Sequence, residues 1–366
     1  MIIGIDCRML GPGFGLARYV QQLVLHLQKI DKDNQYVLFL KRDNWDEVGE
    51  SKNFKKVLAD IHWYGWDEQT KLKSIIKKEK VDLMHFPHWN VPLTYNDPFV
   101  VTIHDLIMYK FPRPEATTLG PIKFWLKDMI HRLLVNHAVK KSKHVIVTSE
   151  FTRQDIHETL GVGLEKMIVT YQAPFALQNS DLRLQNFDLS EYGITKKFVL
   201  YVGGAYPHKN LERLIQAWGL LEEKDDCQLI LVGKDGYFYD RLKTKIENIA
   251  SIKYLGFVED VELVELYKTA SLYVFPSMYE GFGIPPLEAQ QHSVPVVSSN
   301  ASCLPEVLGE SALYFDPENV EQMSETIYKG LTDKDIRFDL QNNARENLKR
   351  FSSRGLAEST LEIYKK

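Results

Sequence analysis

At 366 residues the chain is too long for one ordinary core and comfortable for two domains of typical size. Its 44% hydrophobic and 26% charged residues are those of a soluble globular protein. A net charge of −4 argues against a nucleic-acid partner, because phosphate backbones call for a basic surface. Cys7, Cys227 and Cys303 lie far apart with no CxxC pair, which argues against a disulfide framework and a zinc site and favours a reducing compartment. The opening MIIGIDCRML carries an acid and an arginine within its apolar run and makes a poor signal peptide. With no uninterrupted apolar run near the ~18 residues that span a bilayer, the expected location is cytoplasmic.

In chain order, IIGID (2–6) reads as a strand, followed by a glycine loop, GPGFG (11–15), and an amphipathic helix over 17–30. Further strands are expected at 36–40, 81–86, 99–105, 144–149 and 167–171. Around 176–194 the text turns polar and irregular, and the grammar then restarts. FVLYVGG (198–204) runs into a glycine turn and a helix over 210–218, and strands follow at 227–233, 252–258, 271–277 and 294–299. Apolar β-rich runs alternating with helical segments predict parallel sheets with crossover helices. The duplicated start predicts two Rossmann-like domains, 1–175 and 195–349. A last helix, about 350–366, is expected to pack back onto the first.

Ligands of open α/β sheets gather at the carboxyl ends of the strands, so the residues just after each strand are the candidates. Gly11, Gly13 and Gly15 allow close main-chain approach to an anion, or form a plain turn. The dinucleotide fingerprint G-x-G-x-x-G is missed because position 16 is Leu and position 18 is Arg. Together with Lys41-Arg42-Asp43 after the second strand, that miss speaks against an NAD-dependent oxidoreductase. His104 and Asp105 fit a base with its orienter, or a cap for the next segment. His85 and His88 read as pocket walls, with metal binding the lesser option. Lys209, in YPHKN, is expected near a helix N-terminus, where a cation is locally unfavourable and points to a bound anion.

The stretch YEGFGIPPLEAQ (279–290) follows an apolar run, and Pro285-Pro286 fits a helix start. Glu280 is then expected in the crevice and Glu288 in the first or second turn, with N–H groups of Gly281 and Gly283 accessible between them. Carboxylates accept hydroxyl protons and amides take phosphate oxygens, so the string suits a polyhydroxylated anion. Segment 121–141 has apolar residues at 125, 129, 130, 133 and 134 with basic ones between. A core-facing helix with a solvated face is the preferred reading, ahead of an amphipathic helix on an anionic membrane.

EGFGIPPLEAQ resembles the E-x7-E signature of the retaining family-4 glycosyltransferases. The likeness extends through YVGGAYPHKNLERLIQAW, LGFVEDVELVELYKTASLYVFPSMYEGFGIPPLEA and VPVVSSNASCLPEVLGESALYFDP. In the first half, IGIDCRM, the glycine loop with RYV, HFPHWNVPL and VVTIHDL resemble a subgroup often associated with mannosyl transfer. The resemblance implies the GT-B fold, α/β with two Rossmann-like domains facing each other across a donor-binding cleft. It implies a nucleotide-diphosphate sugar as donor, GDP-mannose first and a UDP-hexose second, with a saccharide or lipid-linked acceptor. No metal or other cofactor is expected. By position, Glu280 should contact the donor sugar beside Gly281, Phe282, Gly283 and Ile284, and Glu288 should hold the ribose. Lys209 should neutralise the leaving diphosphate, with Gly203, Gly204, Gly13 and Gly15 close to the donor, and His104 should lie against the transferred sugar. Two departures stand out. Gly203-Gly204-Ala205 occupies the place of a frequent arginine, for which Arg18 or His208 would substitute, and Leu16-Ala17 stands where Ile-Gly is frequent.

Overall fold

The computed structural model describes residues 1–11, 15–114, 120–175, 188–221 and 226–366. The chain divides into two compact units, Met1–Ala173 with Phe351–Lys366, and Pro174–Arg350. The first holds a seven-stranded sheet of β1 (Ile2–Asp6), β2 (Gln35–Leu40), β3 (Phe54–Leu58), β4 (Leu83–Phe86), β5 (Phe99–Ile103), β6 (Val145–Val147) and β7 (Met167–Val169). Its order is β3-β2-β1-β4-β5-β6-β7, and every pairing is parallel. The second unit holds β8 (Lys197–Val202), β9 (Cys227–Val232), β10 (Ile252–Gly256), β11 (Leu272–Phe275), β12 (Val296–Ser299) and β13 (Ala312–Phe315). These are also all parallel, in the order β10-β9-β8-β11-β12-β13.

The central strands are buried on both faces, which is why LMHF, FVVTI, CQLILV and LYVF read as near-continuous apolar runs. In each sheet the chain starts in the middle, winds to one edge and returns to the other. That reversal opens a crevice at the carboxyl ends of β1 and β4, and another at those of β8 and β11. Helix Gly15–Ile30 turns Tyr19, Val20, Leu23, Val24 and Leu27 into one core of the first unit. Helix Ser353–Tyr364 adds Leu356, Ala357, Ile363 and Tyr364 to the same core, so the chain's last helix completes the unit that its first residues begin. Ser352 starts that helix by accepting a hydrogen bond from the Gly355 amide.

Three sequence expectations need correction. Strands β3 and β13 were not expected: Lys55 and Lys56 interrupt the first, and the second is a four-residue edge strand. The strands expected over 99–105 and 198–204 stop at Ile103 and Val202, because the chain peels off the sheet where His104 and Gly203 begin the crevice loops. Segment 121–141 is a helix, Pro121–Lys141, but not one with a single core-facing side. Val135, Ala138 and Val139 are buried, whereas Trp125, Met129, Ile130 and Leu133 are exposed. Of the expected linker, 176–187 lies outside the described residues.

Candidate active site

In the second unit the chain leaves β8 through Gly203-Gly204 and makes one 3-10 turn, Pro207–Lys209. It then passes through Asn210 in the left-handed region (φ 62°) into helix Leu211–Leu220. An asparagine tolerates that conformation, and its side chain is put to use. The Asn210 amide donates to the carbonyls of Pro276 (3.1 Å) and Pro317 (2.7 Å), and the Met278 amide donates to the His208 carbonyl (2.7 Å). These bonds strap the loop after β8 to the loops after β11 and β13. Their result is an ion pair across the crevice, with Lys209 Nζ donating to Glu280 Oε1 at 2.5 Å. The side chains are only 18% and 9% exposed, and the ammonium sits 5.6 Å from the centre of the Phe275 ring. The Glu280 amide donates to Ser302 Oγ (3.0 Å), which brings the loop after β12 into the same corner.

Gly283 starts helix Ile284–Gln291 with φ 86°, and a Cβ there would lie 2.7 Å from Leu304 Cδ2. Only glycine meets both demands. Pro285 and Pro286 occupy the first turn, as the sequence predicts, and Glu288 falls in the second. Glu288 is buried, and Tyr267 Oη donates to its Oε2 at 3.2 Å. Gly281 and Phe282 are buried beside Glu280, and Ile284 is half-buried. The turn after β8 is pinned by two phenols: Tyr239 Oη donates to the Gly203 carbonyl (2.7 Å) and Tyr201 Oη to that of Gly204 (2.8 Å). His208, a suggested helper for Lys209, is buried beneath this loop. Sequence reasoning missed Asn210, Ser302 and the two tyrosines. The Asn directly before a helix was the one available signal.

In the first unit His104 follows β5. Its Nε2–H donates to the Pro87 carbonyl (3.0 Å), a bond that assigns the tautomer, so Nδ1 is the acceptor for Gln172 Nε2 (3.2 Å). Tyr19 packs edge-on at 4.7 Å. Burial pushes the His104 pKa down to about 4, against a smaller opposing effect of the Pro87 carbonyl. Asp105 accepts the amide of Ile107 (2.8 Å), the first residue of helix Ile107–Lys110, whose N-cap is Leu106. The hydrogen-bonding partners of the two His104 ring nitrogens are thus Pro87 and Gln172.

His85 is not a pocket wall. It is fully buried between Tyr364 Oη (2.6 Å) and Thr102 Oγ1 (2.8 Å), with burial and then His104 pushing its pKa down to about 3. Thr102 in turn meets Tyr19 Oη at 3.1 Å, which ties the last helix to the ring that packs on His104. His88 bonds Asn90 (3.1 Å), and its ring centre lies 6.5 Å from that of His104. A buried charge chain went unread in the sequence. Arg8 holds Asp6 (2.9 and 2.7 Å) and Glu68 (2.6 Å), and Glu68 also accepts from Asn90 (2.7 Å). Burial works against the charge on Arg8, but Asp6 and Glu68 outweigh it and raise its pKa. Its signal was the charged pair inside the apolar run IGIDCRM. Gly13 lies outside the described residues, Gly15 is the exposed first residue of its helix, and Arg18 is half-buried one turn on. Among the described residues no group of three His, Cys, Asp or Glu is placed to hold a metal.

Comparison with known proteins matches residues 15–173 to the model "Glycosyltransferase Family 4" and residues 186–347 to "Glycosyl transferases group 1". The O-antigen chain mannosyltransferase B of Escherichia coli is 31% identical over 97% of this chain and 96% of that protein. The O-antigen chain mannosyltransferase RfbU of Salmonella typhimurium is 28% identical over 98% and 100%. Among solved structures, sucrose-phosphate synthase from Thermosynechococcus elongatus aligns with a TM-score of 0.75 at 19% identity, covering 100% of this chain and 98% of that one. That likeness speaks to the fold, and the two matched segments fall one in each half, 15–173 taking in β2 to β7 and 186–347 taking in β8 to β13. The chain therefore belongs to the family-4, group 1 glycosyltransferases and is a two-domain α/β enzyme of their GT-B kind.

Proposed function

We propose that the protein is a retaining mannosyltransferase that takes mannose from GDP-mannose and adds it to a saccharide hydroxyl in cell-surface polysaccharide synthesis, without a metal. The observation that carries the donor site is the Lys209–Glu280 pair at the switch point of the second sheet, 2.5 Å apart and largely shielded from water. The relatives named as O-antigen mannosyltransferases over nearly their whole length support the choice of sugar. Three buried free cysteines fit a reducing cytoplasm.

In this reading the pair is a resting state whose two charges are shared out when donor binds. Lys209 turns to the diphosphate and neutralises the charge that grows on it as the glycosidic C–O bond breaks. Preorganised charge aimed at a developing anion is the largest lever such a site has. Glu280 accepts hydroxyl protons of the sugar, the amides around Gly281–Gly283 stand beside it, and Glu288, oriented by Tyr267, accepts from the ribose. We assign His104 to the sugar on the resemblance alone. As a neutral ring with Nε2–H committed to Pro87 it has no proton to donate at Nδ1, whose lone pair would accept a sugar hydroxyl only in place of Gln172. A double displacement needs a carboxylate beneath the anomeric carbon, and Glu280 is already given to the sugar hydroxyls. Front-face attack, with the leaving phosphate taking the acceptor proton, is therefore the mechanism proposed. A thermal-shift screen with GDP, UDP, ADP and dTDP tests the donor: GDP should stabilise most, and a preference for UDP would replace mannose by a UDP-hexose.

A further inference from the structure

One buried carboxylate of the first unit, Glu68, serves two side chains at the carboxyl end of the sheet. Its Oε1 takes Arg8, which is itself tied to Asp6, and also accepts from Asn90 Nδ2 (2.7 Å). Its Oε2 accepts the Tyr64 amide (3.0 Å). A hydrophobic filling of the same volume would be no less stable than so deeply buried a charge chain, so its use lies in what it holds.

On one branch stands Tyr64. Its φ of 64° is a left-handed backbone that a bulky residue keeps only where its surroundings impose it, and the Glu68 carboxylate supplies the tie. The ring so held is stacked on Trp89 at 5.0 Å and is 54% exposed. On the other branch stands His88. Because Asn90 Nδ2 is spent on Glu68, the amide oxygen is the atom 3.1 Å from His88 Nδ1, and an amide oxygen only accepts. Nδ1 therefore carries the proton, with Tyr64 Oη 3.5 Å away at the outer limit of a bond. Nε2 of the neutral ring keeps a lone pair and has no partner among the described residues. The ring is half-buried, and its centre lies 6.5 Å from that of His104.

We propose that Tyr64 and His88 receive the acceptor saccharide, and that Glu68 is the residue that positions both. The inference rests on the transfer to a saccharide hydroxyl proposed above. A pyranose lays its C–H face on the exposed Tyr64 ring, where weakly positive hydrogens meet the negative face of the aromatic. One of its hydroxyls donates to His88 Nε2. That hydroxyl is a neighbour of the attacking one, whose own proton goes to the leaving phosphate.

Saturation-transfer NMR on the full chain, with GDP present, tests it. The probes are methyl α-mannoside, methyl β-galactoside and methyl N-acetyl-β-glucosaminide, and at least one should take up saturation at its ring protons. His88→Phe, which keeps a ring without the lone pair, and Tyr64→Gly should each weaken that binding roughly tenfold, the worth of one hydrogen bond or one stacked face. Tyr64→Gly should nonetheless melt no earlier than the wild type, because glycine relieves the left-handed backbone; a tyrosine kept only for structure would lower the melting temperature when lost. In Asn90→Ala, nitrogen NMR should show His88 moving from the Nδ1–H form toward Nε2–H, with probe binding falling alongside. The rise in melting temperature on adding GDP reads the donor site alone and should be the same in every variant, so a failure of this subsite is told from a failure of the donor reading. Contact with none of the glycosides, unchanged binding by Tyr64→Gly or His88→Phe, or a wild-type His88 protonated at Nε2 overturns the proposal.

Discussion

Lys209 and Glu280 illustrate how a site can be stable and reactive with the same two groups. Each neutralises the other in a corner that is 18% and 9% exposed, so removing one leaves the other charge poorly solvated. Glu280→Ala and Lys209→Ala should each lower transfer by about 10²–10³-fold, the range for losing a charge aimed at the transition state. Each should also cost on the order of 1–3 kcal/mol of stability, between the values for exposed and buried pairs. Transfer assays and thermal melts on both variants check this, and near-wild-type turnover in both would remove the site assignment. His104 gives a second prediction. Its folded pKa of about 4 keeps the ring neutral until the solution becomes strongly acidic. Activity should then show no loss attributable to this ring from about pH 9 down to about pH 5, which a pH–rate profile compared with that of His104→Gln would measure. A limb near pH 6.5 that vanishes in the variant would show a titrating His104 instead. Both charged partners were legible as residue types after strands, but their bond to each other was not. That bond depends on Asn210 strapping two loops whose anchor points, Pro276 and Pro317, are 66 and 107 residues away.

Among the secondary-structure elements, the glycine-started helix Ile284–Gln291 is the most constrained piece of the candidate site. Gly283→Ala meets a left-handed backbone and a contact with Leu304 that must yield, and should cost about 1–3 kcal/mol. Because the same change moves the start of the helix that carries Glu288 in its second turn, donor affinity should fall with it, and titration with GDP beside a thermal melt measures both. The strands that were legible are the doubly buried ones, whose apolar runs have no competing reading. Edge strands β3 and β13 escaped because one solvent-facing side admits lysines or shortens the run. Helix Pro121–Lys141 was recognised as a helix but given the wrong exposure. A helix apolar on both faces has no single moment to orient it, and the residues singled out for the core were largely those that face outward. Asp105 shows the same limit, since a strand-end acid reads equally as a catalytic partner until its carboxylate is seen to accept the first amide of a helix two residues on.

For the molecule as a whole, the first unit is closed by residues 351–366. Leu356, Ala357, Ile363 and Tyr364 are all buried there. Burying the larger side chains is worth about 1.5–3 kcal/mol each, and the net stability of a domain is about 5–15 kcal/mol. A chain ending at residue 350 should therefore lose cooperative unfolding of the first sheet, seen as loss of hydrogen-exchange protection in β1, β4 and β5; unchanged protection would contradict the placement. Acid should weaken the same unit. His85, fully buried, and His88 and His104, half-buried, are neutral, with desolvation pushing their pKa values down to about 3, 3 and 4, below the ordinary 6.5. Below pH 6.5 the unfolded chain takes up protons that the folded one refuses, so stability rises with pH from about 4 to 6.5 and these residues add nothing above it. Each contributes a slope of up to about 1.4 kcal/mol per pH unit in that window. Melts at pH 5 and pH 7 check the sign, with the triple His→Gln variant flattening the difference. The donor chemistry itself is tested most directly by one product: the sugar linked to acceptor after incubation with GDP-mannose, its anomeric configuration read by NMR. The account predicts an α-mannoside and released GDP from the α-linked donor, formed about 10²–10³-fold more slowly by Glu280→Ala. A β-linked product, or turnover with a UDP-hexose and none with GDP-mannose, would contradict it.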